Sequence, residues 1–470
     1  MLCQVRFVPR FAVEQGLKPD GSVKIRAVDH MSWSRARTRG KKRCRKDMKA
    51  QSLNGHSVIP ERVAHDHLDC LEKMARSFWE AVGEVPGLWK ADIDAAFRRI
   101  PLRADQQWAA GIAYVLDGAV WACLHKSMPF GASSSVYAWH RVGHLLGAIA
   151  RRTLFVAVGR YVDDFFGVER KCTMEHAMGC FARLVRALLG ATAVADRKLE
   201  CGHELTVLGM LVQPDVTGIA FTVAPEKACK WTNEIATALE LGQLDAGLAQ
   251  KLAGRLMWST QHLFYRIGRA MVKPIFAQKY SIDGKFGGRL RIALLWWLRV
   301  LREQITEVRL WRPSKQSPCH LFVDAASTPA RAAAVFIGNG KIAYTDGQPA
   351  HQLMEQLCER EDKQIMSLEI IAIMLALTTF APDIAGRKVI VHSDNSGAEA
   401  STIKGSSRAF DHNQLVHEIW SFALSHKVRL WVMRVPSDDN ISDSPSRFDY
   451  ELLEEIGAEW RSPVMLDLRL

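Results

Sequence analysis

Two adjacent carboxylates, Asp163 and Asp164, lie in Arg160-Tyr161-Val162-Asp163-Asp164-Phe165-Phe166-Gly167, between apolar and β-branched flanks. Neighbouring carboxylates repel each other and are costly to hold away from water. Their placement among Val156, Val158, Val162 and Val168 therefore points to a divalent cation that offsets the charge. Magnesium, which takes oxygen ligands, is the expected ion. The plain alternative is a solvated Asp-Asp turn. A third acid, Asp92, ends an apolar run in Trp89-Lys90-Ala91-Asp92-Ile93-Asp94-Ala95-Ala96-Phe97, with the aromatic Phe97 five residues later. Further acids fall at the end of an apolar run (Asp324 and Asp394), inside one (Glu369) and in a polar stretch (Asp443). Singly each reads as a surface acid; brought together, they could bind divalent ions as a second candidate site.

The elements that must position these groups follow from periodicity. Asp163 and Asp164 fall at the turn of a hairpin. The alternation of Val23, Ile25 and Ala27 with Lys24 and Arg26 puts both cations on one strand face, a geometry suited to clamping phosphate. A polar outer face of an edge strand is the alternative. Residues 223–314 are mostly helical by pattern, and Trp296 and Trp297 read as core. Beyond about residue 315, strands are expected at 320–324, 331–337 and 341–345, with a Gly338-Asn339-Gly340 turn. A helix at 366–377 carries Glu369, and a strand at 388–393 runs into Asp394; a helix at 413–425 and a strand at 428–435 follow.

The first set of motifs resembles the reverse transcriptases. Asp92, Phe97 and Ile100-Pro101-Leu102 match the family's first palm motif, and Tyr161 to Asp164 match its Tyr-x-Asp-Asp box. Between them, Met128-Pro129-Phe130-Gly131-Ala132-Ser133 resembles the Leu-Pro-Phe-Gly segment placed under the incoming nucleotide and template. The resemblance implies that Asp92, Asp163 and Asp164 are catalytic metal ligands and that Phe97 lies beneath the sugar, leaving no room for a 2′-hydroxyl. It further implies that Lys24 and Arg26 hold the triphosphate, that Phe130 and Gly131 border the nucleotide, and that Lys198, in Asp196-Arg197-Lys198-Leu199, protonates pyrophosphate. A surface lysine explains Lys198 equally well. Leu208-Gly209-Met210-Leu211 matches the start of the primer grip, and 252–259 resembles the thumb helix. Asp29-His30 stands where the family often has Asp-Asp, and Asp94 reads as a solvated or capping acid.

The later order, βββαβα, is that of the ribonuclease H fold, and Asn440-Ile441-Ser442-Asp443-Ser444-Pro445-Ser446-Arg447 is similar to a retroelement ribonuclease H signature. Ser442 and Pro445 replace its Ala and Leu, and Ala325-Ala326-Ser327-Thr328-Pro329 replaces a Gly-rich start. With Gly405-Ser406-Ser407-Arg408 the set is most similar to DIRS-type and related retrotransposons, over nearly the whole chain. The implied fold is an α/β and α+β multidomain chain: right-hand fingers and palm (1–222), helical thumb and connection (223–314), a ribonuclease H-like mixed-sheet domain (315–450) and a C-terminal tail (451–470). The implied activity is RNA-directed DNA synthesis from dNTPs with ribonuclease H cleavage. It implies two Mg2+ ions per site, with Mn2+ as a substitute, and as partners an RNA template, a DNA primer and an RNA–DNA hybrid. The alternative is a catalytically inactive or domesticated nucleic-acid-binding remnant.

Composition agrees with a polyanionic partner. The 470 residues carry 62 basic and 50 acidic side chains, a net charge of +12, and 48% are hydrophobic, enough for several cores. Arg35, Arg37, Arg39, Lys41, Lys42, Arg43, Arg45, Lys46 and Lys49 form a basic run that fits a phosphate contact, a solvated loop or an import signal. Ten scattered cysteines without Cys-x-x-Cys spacing fit reduced thiols in the cytoplasm or nucleus. No membrane span or secretory leader is expected, because Arg6, Arg10, Arg151, Arg152 and Arg160 interrupt the best apolar stretches. Protease, integrase and recombinase patterns are not seen, so the chain is expected to be the central part of a larger element's product or a decayed copy.

Overall fold

The computed structural model describes residues 5–17, 21–33, 52–262, 266–281, 283–312, 315–361 and 364–465. It is a mixed α/β chain in two compact units, Met1–Ala220 with Val308–Trp311 and Phe221–Glu307 with Arg312–Leu470. The basic run at 35–49 lies outside the described residues, as does the side chain of Lys24.

In the first unit a four-stranded sheet runs Val158–Tyr161, Asp164–Glu169, Gly87–Asp92, Leu199–Gly202, each neighbour antiparallel. Its central strands are apolar on both faces, with Leu88, Trp89, Ala91, Phe165, Phe166 and Val168 all buried, so helices must cover both faces. Helix Met174–Leu189 does so through Phe181, whose ring lies 5.4 Å from that of Trp89 and 4.7 Å from that of Phe165. Helix Ser133–Thr153 adds Trp139 and Leu146 to the same core, and helix Leu68–Val82 packs against strand Asp164–Glu169. A Cβ on Gly167 would meet the Trp89 indole at 2.6 Å, so the hairpin closes on that ring only because the residue is glycine.

The second sheet of this unit runs Val23–Asp29, Phe7–Leu17, Gly111–Leu116, Ala119–Leu124 over a small core of Val8, Met31, Ile112 and Ala132. Val23 and Ile25 are exposed, so their alternation with Lys24 and Arg26 does not bury an apolar face.

In the second unit the helices Pro225–Leu241, Ala246–His262, Arg269–Ala277 and Gly288–Glu303 lie in residues 223–314, where periodicity placed helix. Trp297 is fully buried, as expected of a core residue. Its six-stranded sheet runs Arg429–Arg434, Lys388–Ser393, Cys319–Ser327, Ala330–Gly338, Lys341–Gly347, Glu459–Trp460. The first three strands in chain order are antiparallel, and Lys388–Ser393 and Arg429–Arg434 add in parallel. Helix Ile365–Thr379 is buried along 367–379 between this sheet and helix Phe410–Ser425, which explains why it is apolar on all sides apart from Ser367, Glu369 and the two threonines at its end.

Several short elements here escaped sequence reading, a helix and a strand among them. Helix Ser396–Lys404, capped by the Asn395 side chain, is short and mostly polar. Strand Glu459–Trp460 lies in the stretch expected as a tail and pairs in parallel with Lys341–Gly347. Among the described residues no helix is long and apolar enough to cross a membrane, and the eight described cysteines are free.

Candidate functional site

Backbone register brings the main chains of the first three acids side by side, although among the described residues their carboxylate oxygens do not converge as those of a metal-binding trio would. Asp92 ends its strand directly opposite Asp164, and Asp164 pairs in turn with Tyr161, leaving Val162 and Asp163 as the hairpin turn. The main chain of Ile93 donates to Asp163 O at 3.2 Å, tying the turn to the residue after Asp92. Val162 adopts φ 51°, an unfavourable left-handed conformation for a β-branched residue. It is held there by hydrogen bonds to its carbonyl from Trp139 Nε1 (2.7 Å) and Arg160 Nη1 (3.0 Å). Apolar patterning carries no signal for this support, because Trp139 and Arg160 each serve it from a position that also reads as core or strand.

The electrostatics are those of crowded acids. Asp164 is exposed at the hairpin edge, yet packing around its carboxyl, then the charges of Asp163 and Asp92, push its pKa up to about 6. Burial likewise raises that of Asp163, with Asp92 adding to the effect. Lys198 Nζ lies 2.6 Å from Asp92 Oδ2 and 2.7 Å from Asp94 Oδ1. Burial works against that ammonium, but the two carboxylates outweigh it and raise its pKa. Asp94, read from sequence as solvated or capping, is thus an ion-pair partner of Lys198.

An aromatic and cationic wall adjoins these acids. The rings of Phe97 and Phe130 are 5.2 Å apart, and the Arg26 guanidinium lies 5.3 Å from the Phe130 centroid. Arg26 also favours the charged form of Asp163, so this cation lies within electrostatic reach of that acid. Gly131 has φ 90°, and its close approach is to Asp29 O, which a Cβ would meet at 2.7 Å. Asp29 is buried and accepts from Arg10 Nε at 2.6 Å, with His125 Nε2 at 2.9 Å from its other oxygen. Burial opposes its charge, but these partners hold its carboxyl far below the usual range. The residue standing where the family often has paired acids therefore anchors the sheet rather than facing solvent.

In the second unit Asp324, Glu369 and Asp394 each offer an oxygen within 4.8 Å of the others. They come from strand Cys319–Ser327, helix Ile365–Thr379 and the residue after strand Lys388–Ser393. Asp324 and Glu369 are 5% and 4% exposed. Burial, then the neighbouring acids, raises Glu369 to about 9 and Asp324 to about 6. Glu369 Oε2 is buried with no hydrogen-bond partner, an orphan acceptor that a cation would satisfy, so the donor set fits a hard divalent ion. Asp443 adds to the charge felt by Asp324 and Glu369 but stands outside the converging trio, with its Oδ1 2.7 Å from Arg447.

Neighbouring polar groups fix this cluster. Ser437 Oγ donates to Asp394 Oδ2 at 2.7 Å, and Asn440 Nδ2 donates to Val323 O at 3.0 Å, tying the Asp443 loop to the first strand. Ser442, in place of the signature's Ala, donates to Asn440 Oδ1 at 2.7 Å, which accommodates its hydroxyl. Ser437 had no motif to mark it and was missed from sequence.

Neither a family model nor a curated protein matches the chain. Among solved structures it is similar to the foamy viral protease-reverse transcriptase with an RNA/DNA hybrid, at 14% identity and TM-score 0.44, over 93% of this chain and 51% of that one. The same viral protein with double-stranded DNA gives 15% identity and TM-score 0.42 over 92% of this chain and 78% of that one. A form named dRH, also with double-stranded DNA, gives 16% and 0.44 over 91% and 65%. The chain thus spans about half the length of the first.

Proposed function

We propose that the chain is a retroelement RNA-directed DNA polymerase with a ribonuclease H activity, acting on an RNA template, a DNA primer and dNTPs. The observation that carries this reading is the cross-strand register of Asp92 with Asp164, with Asp163 in the hairpin turn that leads from Tyr161 into the Asp164 strand. Crowded carboxylates at the end of one sheet, with Arg26 and two packed aromatic rings nearby, are what nucleotidyl transfer asks of a protein.

In this reading Asp92, Asp163 and Asp164 would hold Mg2+ at the first site, and Asp324, Glu369 and Asp394, with Asp443 beside the trio, would hold it at the second. When bound, the ions lower the pKa of the attacking hydroxyl or water and offset charge on the phosphate. The chain's own groups do the rest. Phe97, backed by Phe130, excludes a 2′-hydroxyl, while Arg26 with Lys24 orients the triphosphate. Lys198, released from Asp92 and Asp94, gives a proton to the departing pyrophosphate. Glu369, poised to hold a proton at neutral pH without an ion, gives it up when the second site fills. Residues 1–222 would form fingers and palm, 223–314 thumb and connection, and 315–450 the hydrolase.

The test is extension of a DNA primer on an RNA template with magnesium, following template length in the same reaction, for the parent and Asp163→Asn. Extension lost in the variant with template shortening retained supports two separable sites. Tight, salt-sensitive hybrid binding by a parent that never extends the primer would sink the polymerase reading and leave an inactive binding protein.

A further inference from the structure

The first unit contains a cavity of about 370 Å³ beside strand Val158–Tyr161, lined by His65, Asp66, His140, His144, Arg151 and Arg160 among others. The roles assigned to the acids use none of these groups. The imidazoles are clustered, with ring centroids 5.9 Å apart for His65 and His140 and 6.1 Å for His140 and His144.

Hydrogen bonding fixes what the rings can offer. Arg160 Nη2 lies 2.8 Å from His140 Nδ1, and a guanidinium only donates. His140 Nδ1 is therefore the acceptor, and the neutral ring carries its proton on Nε2. The Val162 N–H faces His65 Nδ1 at 3.5 Å, which favours the same tautomer there. A metal would need the Nε2 lone pairs that these protons occupy. Among the described residues, moreover, no group of His, Cys, Asp or Glu in this cavity converges as a metal-binding set would. Two rings thus present N–H donors.

Charge points the same way. Arg151 and Arg160 donate to Val158 O (2.9 Å) and Val162 O (3.0 Å) and keep further N–H groups. Asp66 is the acid of the lining, and its oxygens are engaged by the Arg160 main chain (2.8 Å) and the Cys70 thiol (3.5 Å). Burial, then the Arg160 charge, holds both His65 and His140 below the ordinary imidazole range, which keeps them neutral donors. Donor-rich, with two fixed cations against one occupied carboxylate, the lining complements an oxyanion.

We propose that this cavity binds a phosphate group, gripped by Nε2–H of His65 and His140 and by the guanidinium groups of Arg151 and Arg160. The site is linked to the acidic hairpin, because Arg160 also holds the strained Val162 and the His65 ring lies 5.1 Å from that of Tyr161. Phosphate binding itself does not depend on the polymerase reading.

The test is histidine-selective 15N NMR of the whole chain, titrated separately with inorganic phosphate, a nucleoside monophosphate and a short single-stranded oligodeoxynucleotide. Saturable movement of the His65 and His140 resonances is expected, with affinity lowered at least about tenfold in His140→Leu. His140→Gln, whose amide can accept from Arg160 while donating outward, should bind within about threefold of the parent. Response to the two small phosphates alone identifies a free phosphate as the ligand; response to the oligonucleotide as well identifies a backbone phosphodiester. The shifts should persist in Asp163→Asn, which separates this cavity from the acidic centre. No selective movement with any of the three, or undiminished binding by His140→Leu, overturns the proposal. A response to stoichiometric zinc in place of phosphate overturns it too.

Discussion

Lys198 and Asp92 are joined by an ion pair of 2.6 Å, and the same ammonium reaches Asp94 at 2.7 Å. A cation arriving at Asp92 must therefore compete with a positive charge already there. Replacing Lys198 by Met should tighten Mn2+ binding at the first site by about twofold to fivefold, the range expected for losing a partly exposed ion pair. Primer extension should nevertheless slow, since the proton donor is gone. Titration followed by Mn2+ electron paramagnetic resonance checks the first half; unchanged affinity would show that Lys198 does not compete with the ion.

Gly131→Ala tests whether the segment before helix Ser133–Thr153 is positioned by the buried Asp29 strand. With φ at 90° and a Cβ 2.7 Å from Asp29 O, alanine must strain the backbone or push the strand away. A loss of about 1–3 kcal/mol of stability is expected, read by denaturant unfolding of the first unit's tryptophans. A variant as stable as the parent would mean the Asp29 strand yields without cost.

Much of this arrangement was legible in the sequence because it rests on local chemistry. Alternating apolar residues around Asp163 marked the hairpin, and acids at strand ends marked both candidate sites. The helix bearing Glu369 was found within two residues at each end, since a mostly apolar stretch of that length fits a buried helix. Long-range pairing was not legible. Asp94 and Lys198 are far apart in sequence, and nothing in either position's neighbours announces their bond. Arg160 looked like one charged residue in a strand, whereas it bonds both Val162 and His140. Strand Glu459–Trp460 is two residues long, too short for periodicity to declare it, and only pairing with Lys341–Gly347 makes it a strand.

Phe97→Ala probes the sugar gate. The ring packs 5.2 Å from that of Phe130 and is partly buried against the core that includes Trp139 and Phe165. Removing it opens space beside the acids without touching a charge. Discrimination of dNTPs over rNTPs, measured as a ratio of kcat/KM values, should fall by roughly tenfold to a hundredfold. If the ratio stays put while kcat drops for both sugars, Phe97 is a packing residue and the gate lies elsewhere.

The pH dependence of the second site follows from Glu369, whose carboxyl is raised from 4.5 in the unfolded chain to about 9 in the fold. Because the folded state keeps a proton that the unfolded state has lost, the stability this group contributes is full below pH 4.5 and falls as pH rises towards about 9. Asp324 adds the same trend between 3.8 and about 6. The metal-free second unit should therefore melt at a lower temperature at pH 8.5 than at pH 5.5. Glu369→Gln, which cannot ionise, should flatten most of that slope. Magnesium should act oppositely to alkali, raising the melting temperature more at pH 8.5 than at pH 5.5, since binding requires the carboxylates that alkali supplies. The measurement is thermal unfolding of parent and variant at both pH values with and without the ion. A parent slope that Glu369→Gln leaves intact would mean that this buried acid does not hold its proton, and with it would go the case for Glu369 as a ligand waiting on a cation.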